Sequence, residues 1–338
     1  MKTREPDFSQ ILKVLKGERP ARPVLFELFM NERVYTRFSG RAHTGDKAAS
    51  LRRLIDAYAA GGYDYVTTNA SEMSFPSGEK HREKSISLND GVTITDWASF
   101  ERYPWPDPEK GDFSGLDDAA ACLPDGMKLM VMGPMGVLEN VISLMGYDNL
   151  CFAIYEEPEL VQTLFDTIGS RLLRYYEIAA AHEATGMLMS NDDWGFNAQT
   201  FLSPEHMRQY VFPWHRRIVE AGHRHGKPVL LHSCGNLIDV MEDVIDMGFD
   251  GKHSYEDKIM PVEDAYRRWH GRIAILGGID VDFLIRSPIE AVEARCRDIL
   301  ALTAAGGYAL GSGNSIPEYI PDDKYDAMRN VALTYAGV

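Results

Sequence analysis

The sequence has little cysteine: Cys122, Cys151, Cys234 and Cys296 are the four in 338 residues. Four thiols cannot staple a chain of this length, so a disulfide framework is excluded and a reduced, cytoplasmic setting is expected. Long apolar runs are also lacking. None approaches the ~18 residues that span a bilayer. The opening stretch MKTREPDFSQILKVLKG has no apolar core of the kind a secretory signal carries,. Basic residues are outnumbered, 35 Lys and Arg against 50 Asp and Glu, for a net charge of -15. With no Lys/Arg block, such a chain repels phosphate backbones, and neither nucleic acid nor a membrane is an expected partner. Fixed-period repeats, low-complexity segments and Ser/Gly linkers are absent as well.

What is present has the balance of an ordinary globular protein, 45% hydrophobic and 25% charged,. Eight short runs rich in Val, Ile, Leu, Met and Tyr read as strands: Val24–Phe29, Tyr63–Asn69, Met127–Gly133, Met187–Asp192, Pro228–Ser233, Phe249–Tyr255, Ile273–Asp280 and Tyr308–Gly313,. Helical patterns lie between them. In Glu157–Glu183 the residues Leu160, Leu164, Ile168 and Leu172 share one face, and Pro158 suits a first helical position,. Ser203-Pro204-Glu205 opens another helix, which Pro213 should break or kink,. Ser287 and Glu290 have the spacing of a capping box,. Strands alternating with helices predict parallel βα units, and the economical closure is one (β/α)₈ TIM-type barrel domain over 1–338; an open doubly wound sheet is the alternative. Ile86–Trp97, with Asn89-Asp90-Gly91 at its centre, reads as a hairpin excursion between the second and third runs,. With the proline-rich stretch Tyr103–Pro108 it is either a rim over one mouth or a surface decoration.

In a barrel the chemistry sits where the strands end. Here those ends carry Glu27, Asn69, Met135, Asn191-Asp192-Asp193-Trp194, His232-Ser233-Cys234, His253, Glu256, Asp280 and Asn314. Residues two apart on a strand share a face, so His232 and Cys234 point into one space. That pair is either the start of a zinc site or a metal-free strand end. Asp192 and Asp193 are candidates for a general base, a substrate-binding carboxylate or a helix cap. Asp280 either caps Val281–Ile285 or binds ligand. Met127, Met130, Met132 and Met135 follow strand periodicity and read as core, with a ligand-facing place as the alternative for Met135. His223 and His225 complement a helix end.

The order of these motifs resembles the uroporphyrinogen decarboxylase superfamily. The matching pieces are Gly133-Pro134, Asp192-Asp193, Leu202-Ser203-Pro204-Glu205, His232-Ser233-Cys234-Gly235-Asn236, Leu276-Gly277-Gly278-Ile279-Asp280 and Pro317…Pro321…Tyr325-Asp326-Ala327-Met328. The resemblance runs from about Pro23 to Met328 and implies a (β/α)₈ barrel. It implies one of two chemistries: cofactor-free decarboxylation, or zinc-dependent methyl transfer to or from a corrinoid. The decarboxylase's Arg-Gln-Ala-Gly-Arg stretch is replaced here by Leu28-Phe29-Met30-Asn31-Glu32-Arg33, and His232-x-Cys234 matches the zinc pair of the methyltransferases. Their third ligand, a cysteine after the last strand, is replaced by Asn314. Glu27 and His253 are the groups expected to complete the shell.

The resemblance therefore implies a methyltransferase. It would move a methyl group between a small methylated substrate, such as a methoxy compound, and a corrinoid carried by a partner protein. Fewer thiolates would make the zinc a stronger Lewis acid and tilt the reaction toward demethylation. Expected catalytic residues are Asp192, Asp193 and His232. Expected substrate contacts are Glu27, Asn69, Met135, Trp194, Tyr255, Asp280 and Asn314. A metal-free decarboxylase acting on an anionic substrate, and a non-catalytic corrinoid- or small-molecule-binding barrel, are the alternatives. Oligomeric state is left open.

Overall fold

The computed structural model describes residues 4–78 and 87–336. Seven strands form one parallel sheet in chain order: β1 (Tyr65–Asn69), β2 (Lys128–Met132), β3 (Thr185–Asn191), β4 (Val229–His232), β5 (Gly251–His253), β6 (Ala274–Leu276) and β7 (Tyr308–Ala309). Apart from Thr68, Asn69 and Lys128, their side chains are buried on both faces, as a parallel sheet wrapped in helices requires,. The register aligns the strand ends. Asn69 pairs with Met132, Asn191 with His232, and His232 with His253.

The eighth expected strand, Val24–Phe29, closes the curl by other means. Leu25 bridges Leu310 in parallel, and backbone bonds of 2.8 Å join Phe26 to Leu310 and Leu310 to Val24. On the other side the Tyr65 hydroxyl bonds both the amide and the carbonyl of Glu27, each at 2.8 Å. The architecture is thus the expected α/β barrel, with seven ladder strands and an eighth segment held by an isolated bridge, single backbone bonds and side chains.

The helices follow their sequence signals with one exception. Pro158–Ala181 buries Leu160, Leu164, Ile168 and Leu172. Ser203 caps the turn at Pro204, and the chain widens into a π-turn over Met207–Val211 before Phe212–Arg224. Pro213 has no N–H to donate, and the wider turn takes up that missing bond without ending the helix. Ser287 makes no cap for Ile289–Leu302. Its carbonyl instead accepts the Lys324 ammonium, which draws the chain toward the Asp322–Thr334 helix.

The excursion is present but is not a hairpin among the described residues. Ile86 lies outside them. Leu88–Gly91 is a turn, and Thr93 and Ile94 donate to the Leu144 carbonyl rather than to a partner strand. Asp96 then caps the Trp97–Arg102 helix. Phe75, Phe100, Tyr103 and Trp105 pack ring to ring, and the Arg171 guanidinium lies 5.3 Å from the Trp105 ring centre. Aromatic and cation–π packing thus replaces strand pairing as the anchor.

Candidate functional site

The aligned strand ends bring three donor atoms together. His232 ends β4, and Cys234 follows two residues on with its Sγ 3.7 Å from His232 Nε2. Asp193, just past β3, accepts from the Cys234 amide at 2.8 Å, and its Oδ1 lies 3.8 Å from His232 Nε2. The ligand atoms of Asp193, His232 and Cys234 all lie within 4.8 Å of one another. Asn314 donates its amide to Cys234 Sγ at 3.3 Å. It therefore supports the sulfur by a hydrogen bond where the methyltransferase pattern has a third ligand.

Behind His232 the hydrogen bonds run in one direction. The Ser312 carbonyl can only accept, so His253 Nε2, 3.2 Å away, must carry a proton,. Both imidazoles are held neutral by burial, His232 down to about 3 and His253 well below its ordinary value. Neutral His253 then has a lone pair on Nδ1. His232 Nδ1, 2.9 Å away, donates to it. That leaves His232 Nε2 as a bare lone pair facing Cys234 and Asp193. Gly277, at φ +69°, makes the approach possible: a Cβ there would lie 2.2 Å from the Ser312 oxygen,.

The two adjacent aspartates separate. Asp193 joins the cluster, half-buried. Asp192 is fully buried and faces the other way. Its oxygens accept from the Leu138 and Glu139 amides, each at 2.9 Å, so it caps the Val137–Met145 helix. His215 Nε2 is 2.9 Å from the same carboxylate. Gly136 is required there, since a Cβ would lie 2.1 Å from Asp192. The structure thus gives Asp192 an anchoring place, away from the cluster.

Other expected contacts are placed as follows. Trp194 is fully buried against Phe212 and His215, in the core and not along a pocket. Asp280 caps the Val281–Arg286 helix and also accepts from the Asp257 amide. Glu27 is fully buried, with both oxygens bonded to Ser312. Burial pushes its carboxyl up to about 8. Neither Glu27 nor His253 joins the donor cluster; Asp193 does. Asn69 and Met135 line a cavity of about 1160 Å³ at the mouth, walled also by Phe75, Pro106 and Asp107 of the excursion. Tyr255 lines a separate, smaller cavity.

Three residues escaped the sequence reading. Ser312 sits in a Gly-Ser-Gly strand end and fixes both Glu27 and His253. His215 lies in a helix, and nothing in the sequence marks it. Glu139 follows Gly136 by three, a capping-box spacing, and accepts from the Gly136 amide at 3.0 Å,. Burial, then the charges of Asp192 and Asp193, push the Glu139 carboxyl above its ordinary value.

The donor set fits zinc. Tetrahedral zinc with N, O and S ligands spaces its donors about 3.5 Å apart. The 3.7 Å and 3.8 Å separations are close to that before any rearrangement. Burial, then Asp193, raise the Cys234 thiol, so it keeps its proton until a cation displaces it,.

The uroporphyrinogen decarboxylase (URO-D) family model matches residues 83–335. The chain belongs to this family. A uroporphyrinogen decarboxylase of Anaeromyxobacter sp. is 26% identical over 275 residues, 78% of this chain and 76% of that one. A methylated-thiol–coenzyme M methyltransferase of Methanosarcina mazei is 25% identical over 174 residues, 51% of this chain and 45% of that one. Among solved structures, a methyltransferase from Methanosarcina mazei superposes with a TM-score of 0.76 at 16% identity, covering 98% of this chain and 100% of that one. At that identity the likeness is one of fold. The family, and the barrel fold of that structure, agree with the resemblance read from the motifs.

Proposed function

We propose that this URO-D family member is a methyltransferase. It would move a methyl group between a small methylated substrate and a corrinoid carried by a partner protein, with zinc held by His232, Cys234 and Asp193. The observation that carries the reading is the cluster of nitrogen, sulfur and oxygen donors at zinc-compatible spacing. Zinc bound there would supply Lewis acidity, which suits activating a methoxy oxygen. His253 and Ser312 keep His232 Nε2 unprotonated. Asn314 supports the Cys234 sulfur, and burial and neighbouring carboxylates favour the protonated form of Glu139 beside Asp193. The large mouth cavity, rimmed by Asn69 and Met135, is where substrate and partner would meet.

The decarboxylase reading is poorly served by the charges. A polycarboxylate needs free, bidentate cations. The lysines and arginines lining the large cavity are already ion-paired: Lys47 with Glu72, Arg53 with Glu32 and Lys110 with Asp107. Arg33, Arg37 and Arg41, near the place of the missing arginine stretch, pair with Asp322, Asp326 and Asp56.

The test has two parts. Calorimetric titration should show about one zinc per chain, lost in Cys234→Ala and in Asp193→Ala. The zinc-loaded protein, given methoxy donors and a reduced corrinoid, should then form methyl-corrinoid. Identical zinc uptake by wild type and Cys234→Ala would overturn the proposal.

A further inference from the structure

A second, smaller cavity of about 30 Å³ opens between the segments that follow β4 and β5. Gly235, the residue after Cys234, forms part of its wall, as do Leu237, Met241 and Trp269. Lys252, Ser254, Tyr255, Glu256 and the Trp269 indole N–H supply the polar groups. Lys252 precedes His253 on β5 and so points to the opposite face of the strand. Its side chain is 4% exposed. The ammonium donates to the Ser254 carbonyl and lies 4.3 Å from the Tyr255 ring centre. Glu256 also lines the cavity, yet Lys252 forms no ion pair among the described residues. The Tyr255 hydroxyl is buried and has no hydrogen-bond partner among them.

A buried ammonium with donors to spare and a buried, unpartnered hydroxyl on one cavity ask for a ligand that accepts hydrogen bonds and carries negative charge. A water-sized group needs about 10–15 Å³ by this kind of measure, so the enclosed part takes two such atoms and the rest of a ligand must lie in the open mouth,. Two acceptor atoms with one negative charge describe a carboxylate. We propose that this cavity is a carboxylate-binding site, with Lys252 and Tyr255 as its donors and Leu237, Met241 and Trp269 receiving the attached carbon. The carboxylate is either a free small acid or the headgroup of the methylated substrate; the second source rests on the methyltransferase reading.

Acetate and methoxyacetate distinguish these sources. Acetate is titrated calorimetrically into the metal-free protein, and methoxyacetate into the zinc-loaded protein. Acetate binding should weaken about tenfold or more in Lys252→Met, where a buried charged hydrogen bond is lost, and about threefold to tenfold in Tyr255→Phe. Glu256→Gln should tighten it. Methoxyacetate weakened by Lys252→Met and also by Cys234→Ser identifies the substrate headgroup; weakened by Lys252→Met alone, it identifies a free acid. Thermal melts establish that each variant is folded, and Tyr255→Phe decides the matter if Lys252→Met is not. Acetate affinity unchanged in the folded variants, or no acetate binding to wild type, overturns the site. Acetate binding needs no turnover, so it survives a failure of the methyl-transfer reading.

Discussion

At the scale of single residues, the cluster depends on groups that never touch a ligand. His253 donates to a carbonyl on one side and accepts from His232 on the other, and this fixes which nitrogen of His232 is bare. His253→Phe removes that control. Zinc affinity should fall about 10–100-fold, the usual cost of losing a partner that orients a metal-binding histidine. His253→Gln, whose amide both donates and accepts, should recover part of the loss; competition with a chromogenic chelator measures both. Glu27 offers a separate test through pH. The folded chain keeps the Glu27 proton up to about pH 8, whereas the unfolded chain releases it near the ordinary value of 4.5. Between those values the unfolded state binds fewer protons, so the Glu27 contribution lowers stability as pH rises and levels off above about pH 8,. Glutamine can give Ser312 the same pair of bonds without ionising. Glu27→Gln should therefore melt higher than wild type at about pH 8 and shed part of the decline seen from about pH 5. Parallel melting curves across that range would show that Glu27 carries no such burden.

At the scale of elements, β3 ends by sending two consecutive carboxylates to different work. Asp192 holds the first turn of Val137–Met145 and receives His215 from Phe212–Arg224. Asp192→Ala leaves two amides and an imidazole without their acceptor in a dry site. It should cost about 2–4 kcal/mol in denaturant unfolding. Asp193→Asn, on a half-buried side chain, should change stability by only about 0.5 kcal/mol while abolishing tight zinc uptake. Similar losses of stability in both variants would erase the distinction. The sequence displayed both carboxylates but not this division, because alternation along a strand stops being a guide once the strand ends. His232 and Cys234 were legible for the opposite reason: His232 ends β4, and the Ser233 amide still donates to the His253 carbonyl, so alternation runs on past the last ladder pair. Seven strands were legible as apolar runs, and the long helix as a four-residue repeat. Asn-Asp-Gly specified the turn of the excursion, but no strands flank it among the described residues, where distant aromatic packing settles the chain instead. Asp193 was not foreseen as the third donor, since Glu27 and His253 also sit at strand ends; only the register and the Ser312 bonds show that both are already occupied.

At the scale of the whole molecule, the barrel is unevenly closed. β2 and β3 share four register pairs, and β3 and β4 another four. The Val24–Phe29 segment meets Leu310, just past β7, through one bridge, and among the described residues it is tied to β1 only by side chains: the Tyr65 hydroxyl on Glu27 and the Tyr58 hydroxyl between Leu28 and Thr67. The seam between that segment and β1 should therefore open before the rest of the sheet, since local opening follows where the fewest bonds must break together. Tyr65→Phe removes the hydroxyl and keeps the ring. The Glu27 amide, whose acceptor is that hydroxyl, should then exchange its hydrogen roughly 10–100-fold faster, a range equal to one or two net hydrogen bonds. The Phe26 amide donates to Leu310 on the other side and should respond less, and the Leu188 amide in β3 should not respond. The effect should also reach the cluster. Glu27 holds Ser312, Ser312 holds His253, and His253 sets the lone pair of His232. Tyr65→Phe should thus weaken zinc binding modestly, by less than His253→Phe does. Equal acceleration at Glu27, Phe26 and Leu188 would mean that the barrel opens as one unit, and the seam would then have no special link to the site.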